Sequence, residues 1–405
     1  MSEETLVQEQ PIIQTPSQND VVDAAIQRIV NNENKFYIYC PPMNIASGGV
    51  SVLFKDAQLL KEAGKNVIIV YEPRLDQKAS YEASVKNVKN KTRIDIFEVF
   101  NTSWLGSLAE GLDIRPLGEG KNADDLKFND GTIKTSFQLV LSPDDFFFIP
   151  EGFPNIMEKT AQMPCKRIII AQSWYYILNS LQSHQTWQHF GINDVISVSD
   201  GITEYLNAIM PGLKIKQYSQ SIDRKLFKPT DITKKSPVVV FSPGRTQDAV
   251  IKTYNVIKTF YSFYKHLSWI RFSELKGLSK EDYAERIGEA ALCLYTDEIA
   301  GFGTMPLEAM AMGTHVAGWT PLGGKEYMKQ NNGFWAQNGD IFQLAELLGV
   351  AIEKWLLGKL DEPIVMEEYE QTLSQYTEDK EKTDFINIIN TYTNQRIEEF
   401  NAIKL

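Results

Sequence analysis

Short apolar runs recur along the chain, each closed by a loop bearing glycine or proline and followed by a stretch of helical spacing. Phe36-Tyr37-Ile38-Tyr39-Cys40 is the first run and Val67-Ile68-Ile69-Val70-Tyr71 the second. Between them Val50, Leu53, Phe54, Ala57 and Leu60 fall on one face of a helix that Gly64 ends. Strand, glycine loop, helix and strand make a βαβ unit, which predicts a parallel sheet. Phe146-Phe147-Phe148-Ile149-Pro150, Ile168-Ile169-Ile170-Ala171 and Val195-Ile196-Ser197-Val198-Ser199 read as further strands.

The pattern starts afresh in the second half. Residues 238–242 form a strand, and Val250, Ile251, Tyr254, Ile257 and Phe260 one side of the helix after it. Trp269-Ile270-Arg271-Phe272 is a short strand. Ser279, with Asp282 three residues on, caps a helix carrying Tyr283, Ile287 and Ala290. That helix feeds the strand Ala290-Ala291-Leu292-Cys293-Leu294-Tyr295. A buried helix with Met305, Leu307, Ala309, Met310 and Ala311 comes next, Pro306 in its first turn and Gly313 past its end. Residues 315–319 are a short strand, 341–357 a closing helix and 384–404 an amphipathic terminal helix.

The fold class is α/β, with two doubly wound, Rossmann-like domains. Residues 1–34 are a flexible tail and short helix, the tail rich in Glu, Gln, Ser and Pro. The first domain covers 35–225, the second 226–371, and terminal helices 372–405. Residues 73–134 read as helices and loops on the outer part of the first domain. The polar segment 217–229, stopped by Pro229, links the domains.

A chain of 405 residues holds two ordinary domains, and 43% hydrophobic with 23% charged residues fits a globular protein. The net charge of -11 and pI of about 5.1 argue against a general binder of phosphate backbones. Cys40, Cys165 and Cys293 stand far apart, and His184, His189, His266 and His315 form no zinc-type cluster, so no metal site is expected. No run is long enough to span a membrane and the acidic N-terminus is not a signal peptide, which makes the cytoplasm the expected location.

Three strand–glycine loop–helix units carry the candidate chemistry. Gly48-Gly49, Gly244-Arg245 and Gly301-Phe302-Gly303-Thr304-Met305 each stand at a helix start, where free N–H groups favour an anion. Arg245 is placed to clamp a diphosphate, and Lys252 adds a point charge or is a solvated helix face. Glu308, about one turn into its helix, suits a pair of hydroxyls or simply complements the helix dipole. Glu151 follows a strand end, either as a ligand to a hydroxyl or as an exposed acid. Trp174, Tyr175 and Tyr176 form either a platform for a sugar face or part of a core.

Residues 301–311, Gly-Phe-Gly-Thr-Met-Pro-Leu-Glu-Ala-Met-Ala, resemble the C-terminal domain signature of GT-B glycosyltransferases, especially the retaining, family-4-like group. Ile222-Asp223, Phe227 and Pro229 resemble the segment by which that group passes from its first domain to its second. The resemblance covers roughly 36–345 and implies two nucleotide-fold halves facing a central cleft. It gives Glu308 to the nucleotide ribose, Arg245 and Lys252 to the diphosphate, and the Gly48-Gly49-Val50 loop to the same diphosphate from across the cleft. Glu274, Leu275 and Lys276 fall where the family meets the nucleobase, or in an ordinary turn. Gly323-Gly324 falls on the acceptor side, or merely turns the chain. The terminal helix would cross back onto the first domain, or mediate a homodimer.

Two departures are visible. The acid that lies near the transferred sugar is replaced by Ala300, with Glu298 the nearest substitute. A histidine frequent in the family is missing from Pro150-Glu151-Gly152, where Glu151 is the nearest polar group. The implied activity is transfer of a sugar from a UDP- or GDP-linked donor to an acceptor hydroxyl, with retention and without metal or other cofactor. Glycan, protein and modified nucleic acid remain open as acceptors. The departures keep a catalytically degenerate binding protein as one alternative, and a phage-type glycosyltransferase acting on modified DNA bases is another.

Overall fold

The computed structural model describes residues 17–43, 47–72, 100, 102–117, 141–360 and 362–404. Most of the expected tail, residues 44–46 of the first glycine loop and most of the stretch 73–134 lie outside them. Helix α1 (Gln18–Val30) begins ahead of the expected residues 21–30 because Ser17 and Asp20 close a capping box.

The first sheet is built from β1 (Lys35–Tyr39), α2 (Gly48–Glu62), β2 (Asn66–Tyr71), α3 (Thr102–Leu105), β3 (Asp113–Pro116), β4 (Phe146–Pro150), α4 (Pro154–Lys159), β5 (Lys166–Ala171), α5 (Trp174–Asn179), β6 (Asp194–Ser197), α6 (Asp200–Ile209) and β7 (Lys214–Gln217). Its seven strands run in the order β3-β2-β1-β4-β5-β6-β7. Every pairing is parallel, with Ile38 beside Ile69 and Phe36 beside Phe146. Strand β4 is buried throughout and β1 from Phe36 onward, as their apolar runs require for a sheet covered on both faces. The edge strands β3 (Asp-Ile-Arg-Pro) and β7 (Lys-Ile-Lys-Gln) carry no such run and give no strand signal in the sequence.

The second sheet is built from β8 (Ser236–Ser242), α7 (Gln247–Phe263), β9 (Arg271–Glu274), α8 (Lys280–Glu289), β10 (Ala290–Tyr295), α9 (Thr304–Ala311), β11 (His315–Thr320), β12 (Phe334–Gln337) and α10 (Ile341–Leu356). Its five strands run in the order β12-β11-β10-β8-β9, again all parallel. Strand β9 starts two residues later than its apolar signal suggests, because Ile270 is held in a turn by the Leu267 carbonyl and Trp269 is left exposed.

Helices α11 (Pro363–Leu373) and α12 (Glu378–Ile403) finish the chain. Helix α12 lies against the first sheet: Tyr392 donates to the Val195 carbonyl at 3.0 Å, and Arg396 to the Pro143 carbonyl at 2.7 Å. Its apolar residues Phe385, Ile388 and Ile389 are buried there. One hydrophobic cluster therefore runs from Phe36 and Phe148 through Tyr218 and Ile222 to Met310 and Val316, joining both sheets. A second cluster, with Val256, Phe260, Trp319 and Leu348, fills the far side of the second sheet.

A buried polar knot ties α12 to α2. Tyr218 donates to both oxygens of Asp56, at 2.8 and 3.0 Å, while Glu381 accepts from Ser221 at 2.6 Å and pairs with Lys55 at 2.5 Å. Burial pushes Asp56 well above the usual carboxylate range, and the nearby Glu381 charge adds to it. Among the described residues no helix is long and apolar enough to cross a membrane.

Candidate active site

In each sheet the strand order reverses at one place, between β1 and β4 in the first and between β8 and β10 in the second. Ligands of doubly wound proteins bind outside the carboxyl ends of the strands at such a reversal. The residues found there are Gly48 and Gly49 at the head of α2, Glu151 after β4, Gly244 and Arg245 after β8, and residues 296–303 after β10. Gln172 follows β5, next to the first reversal.

Local packing explains several of these residue types. A methyl group at Gly244 would lie 2.3 Å from the Ala249 Cβ, so glycine lets α7 start directly under its loop. Gly303 has a φ of 77°, which a residue with a Cβ adopts only at a cost, and stands as the N-cap of α9. Gly48 has open space around its Cα, while a methyl at Gly49 would lie 3.1 Å from the Gln172 Oε1.

Two cations occupy the second half. Arg245 donates to the Asp297 carboxylate at 3.1 Å and to the Ile299 carbonyl at 3.2 Å. Lys252 meets Glu298 at 3.0 Å and Asp248 at 2.9 Å, contacts that strengthen its hold on its proton. Lys252 and Glu298 thus form one ion pair, and Lys252 is more than a solvated helix face. Glu308 accepts from the Tyr283 hydroxyl at 2.9 Å; burial raises its pKa, and hydrogen bonds from Tyr283 and Thr304 partly offset this. Glu274, at the end of β9, accepts from Tyr254 at 2.9 Å.

Glu151 is not the exposed acid that a strand end allows. It is 4% exposed and accepts from the Gln172 main-chain N–H at 3.0 Å. Burial pushes its pKa up to about 7, against the pull of main-chain N–H groups of Gln172, its own and Ser173, and of Arg245 from the second domain. Main-chain N–H groups of the first half and the Arg245 charge of the second therefore both act on this carboxyl.

The halves close tightly here. Ser173 Oγ donates to the Ile299 carbonyl at 3.2 Å and Ser199 Oγ to the Gly301 carbonyl at 2.7 Å. A methyl at Gly301 would sit 1.5 Å from the Gln172 carbonyl oxygen, and one at Gly323 1.9 Å from the Gly301 oxygen. Glycine at 301 is thus demanded by the approach of the protein's own backbone. Gly323 belongs to the same seam.

Other expected side chains are absorbed by packing. Phe302 is buried against Tyr327 and Tyr376, Met305 and Leu275 are buried, and only their main chains remain for a ligand. Thr304 opens α9, and Lys276 lies exposed beyond Leu275. Trp174 stands edge-on between Tyr175 and Tyr205, half-buried.

The sequence reading passed over three residues. Gln172 touches Glu151, Gly49 and Gly301; Tyr283 holds Glu308; and the buried Tyr295 hydroxyl, without a hydrogen-bond partner among the described residues, lies where a Gly303 Cβ would be. Gln172 follows a strand with no glycine to mark it. Tyr283 and Tyr295 read only as apolar positions of a helix and a strand.

Two doubly wound sheets with their reversal points brought together define a two-domain α/β architecture. No family model matches the chain. Over 242 residues it is 25% identical to an alpha-1,6-glucosyltransferase of Actinobacillus pleuropneumoniae serotype 7, covering 56% of this chain and 69% of that one. Its structure is similar to that of a Staphylococcus aureus TarM mutant in complex with UDP, with a TM-score of 0.58, 12% identity and coverage of 88% of this chain and 100% of the other. Anabaena HepE in complex with UDP-glucose matches with a TM-score of 0.54, 13% identity and coverage of 89% and 99%. These likenesses show the fold, a two-domain α/β architecture of the kind the named glycosyltransferase structures have.

Proposed function

We propose that the protein moves a sugar from a UDP-linked donor to an acceptor hydroxyl, with retention at the anomeric carbon and without a metal ion. The observation that carries this reading is the meeting of Arg245, Glu151 and the heads of α2 and α9 at the two reversal points. The UDP and UDP-glucose complexes of similar folds support the nucleotide.

In this reading the uridine lies against the main chain of Glu274, Leu275 and Lys276, and the ribose hydroxyls donate to Glu308. The diphosphate displaces Asp297 and Glu298 from Arg245 and Lys252 and takes main-chain N–H groups of Gly303, Thr304 and Met305 at the head of α9. The bond from the anomeric carbon to the β-phosphate oxygen breaks, and charge developing on that oxygen meets Arg245 and Lys252 already in place. The acceptor oxygen forms the new bond on the same face, and its proton passes to the departing phosphate. Glu151 accepts a hydrogen bond from an acceptor or sugar hydroxyl. Buried thiols without disulfides fit a reducing, cytoplasmic setting.

A panel of UDP-, GDP-, ADP- and dTDP-sugars tests the reading, with donor consumption measured in EDTA and the product's anomeric configuration read by NMR. Consumption of a UDP-sugar with a retained anomer supports it. A chain that binds UDP but consumes no donor is a binding protein instead.

A further inference from the structure

We infer that Tyr327 is a positioning residue for the donor's diphosphate, its hydroxyl holding two carbonyls so that the N–H groups of Gly303 and Thr304 face the ligand; this rests on the glycosyltransferase reading above. Tyr327 lies in the loop after β11 and is 1% exposed. Its hydroxyl donates to the Gly303 carbonyl and, at 3.3 Å, to the Phe302 carbonyl, sharing one proton between them. In a planar trans peptide the C=O and the N–H that follows it point to opposite sides. The N–H groups of Gly303 and Thr304 are therefore turned away from Tyr327, and no acceptor among the described residues takes either. Gly303 and Thr304 stay partly exposed, whereas Phe302 before them is buried, so these two donors stand open to a ligand.

The two peptides need holding. Gly303 has a φ of 77°, and the glycine that permits this also lets the chain swing out of it. A methyl at 303 would lie 2.3 Å from the Tyr295 hydroxyl and 3.3 Å from that of Tyr327, so two phenols bracket the residue. Of the two, only Tyr327 bonds to it. Tyr327 is itself fixed. Asn332, fully buried, donates to its carbonyl at 2.6 Å and to Thr372 at 3.0 Å, and accepts from the Lys329 N–H and the Trp335 indole. The Tyr327 ring packs edge-on against Phe302 and Tyr376. Its hydroxyl thus stands on a rigid base, and donors held in advance act most strongly where charge develops on a phosphate oxygen.

Binding of UDP by calorimetry, and of uridine by competition with UDP, tests this on the full chain in wild type and Tyr327→Phe, which keeps the ring and loses the hydroxyl. Released carbonyls let the two N–H groups turn, so UDP weakens about five-fold while uridine, which has no phosphate, stays within about two-fold. A UDP affinity within about two-fold of wild type overturns the inference. So does an equal loss for UDP and uridine, or a variant that does not fold, since either shows the hydroxyl serving the fold at large. Failure of wild type to bind UDP removes the glycosyltransferase reading and this inference with it, an outcome distinct from an unchanged affinity in the variant.

Discussion

Arg245 meets the Asp297 carboxylate at 3.1 Å, and its charge also reaches Glu151 across the domain seam. The pair is partly open to solvent, so it adds little to stability. Under the proposed function it holds the guanidinium where a leaving phosphate would gather charge. Arg245→Ala is expected to lower turnover of the preferred donor by about a hundred-fold, as loss of a preorganised charge-stabilising donor does. The Tm should stay within about 2 °C, in keeping with an exposed ion pair. Steady-state kinetics beside a melting curve check this, and an unchanged rate removes Arg245 from the site.

Gly301→Ala brings a methyl to 1.5 Å from the Gln172 carbonyl oxygen, a distance no Cβ tolerates. Either the seam opens or strain of about 1–3 kcal/mol is stored. Small-angle scattering should show a larger radius of gyration, or denaturant unfolding a lowered midpoint, with donor turnover falling in both cases. A variant with unchanged dimensions, stability and rate contradicts the packing described for the seam.

Glu151 links pH to both activity and stability. Its pKa of about 7 in the folded chain exceeds the roughly 4.3 of an unfolded glutamate, so folding raises its affinity for a proton. Its contribution to stability is fully present below the unfolded value and is lost as pH rises through about 7. Glu151→Gln should therefore gain stability relative to wild type between about pH 4 and 7. If the ionised carboxylate accepts the substrate hydroxyl, wild-type turnover rises with pH through the same region, and the Gln variant has a flatter profile. Chemical unfolding at several pH values, with a pH–rate profile, decides both parts.

The knot between α2 and α12 makes a separate prediction. Tyr218 is the hydrogen-bond donor to Asp56 at 2.8 and 3.0 Å, and both groups are buried. Tyr218→Phe leaves a buried carboxyl without that partner and should cost about 1–3 kcal/mol in unfolding free energy. Urea denaturation measures it.

Much of the fold was legible because buried parallel strands declare themselves. Residues 146–150 and 290–295 are unbroken apolar runs, and each gave a strand where the structure has one. The edge strands were not legible: Lys214-Ile215-Lys216-Gln217 is polar because a strand paired on one side only stays near water. In the site, glycines and charges were readable as types but their partners were not. Lys252 and Glu298 were singled out for different tasks, yet they meet at 3.0 Å because helix α7 and the loop after β10 lie side by side. Gln172 escaped notice since nothing in its sequence neighbourhood shows that a second domain closes onto its carbonyl.

The central claim is that the donor's diphosphate lies between the two reversal points, and a crystal structure with UDP tests it most directly. The account predicts phosphate oxygens within about 3.5 Å of the Arg245 guanidinium and of main-chain N–H groups at the head of α9, with ribose hydroxyls on Glu308. UDP bound away from that cleft, for example in the groove beside Ile222, Arg224 and Lys225, would contradict it.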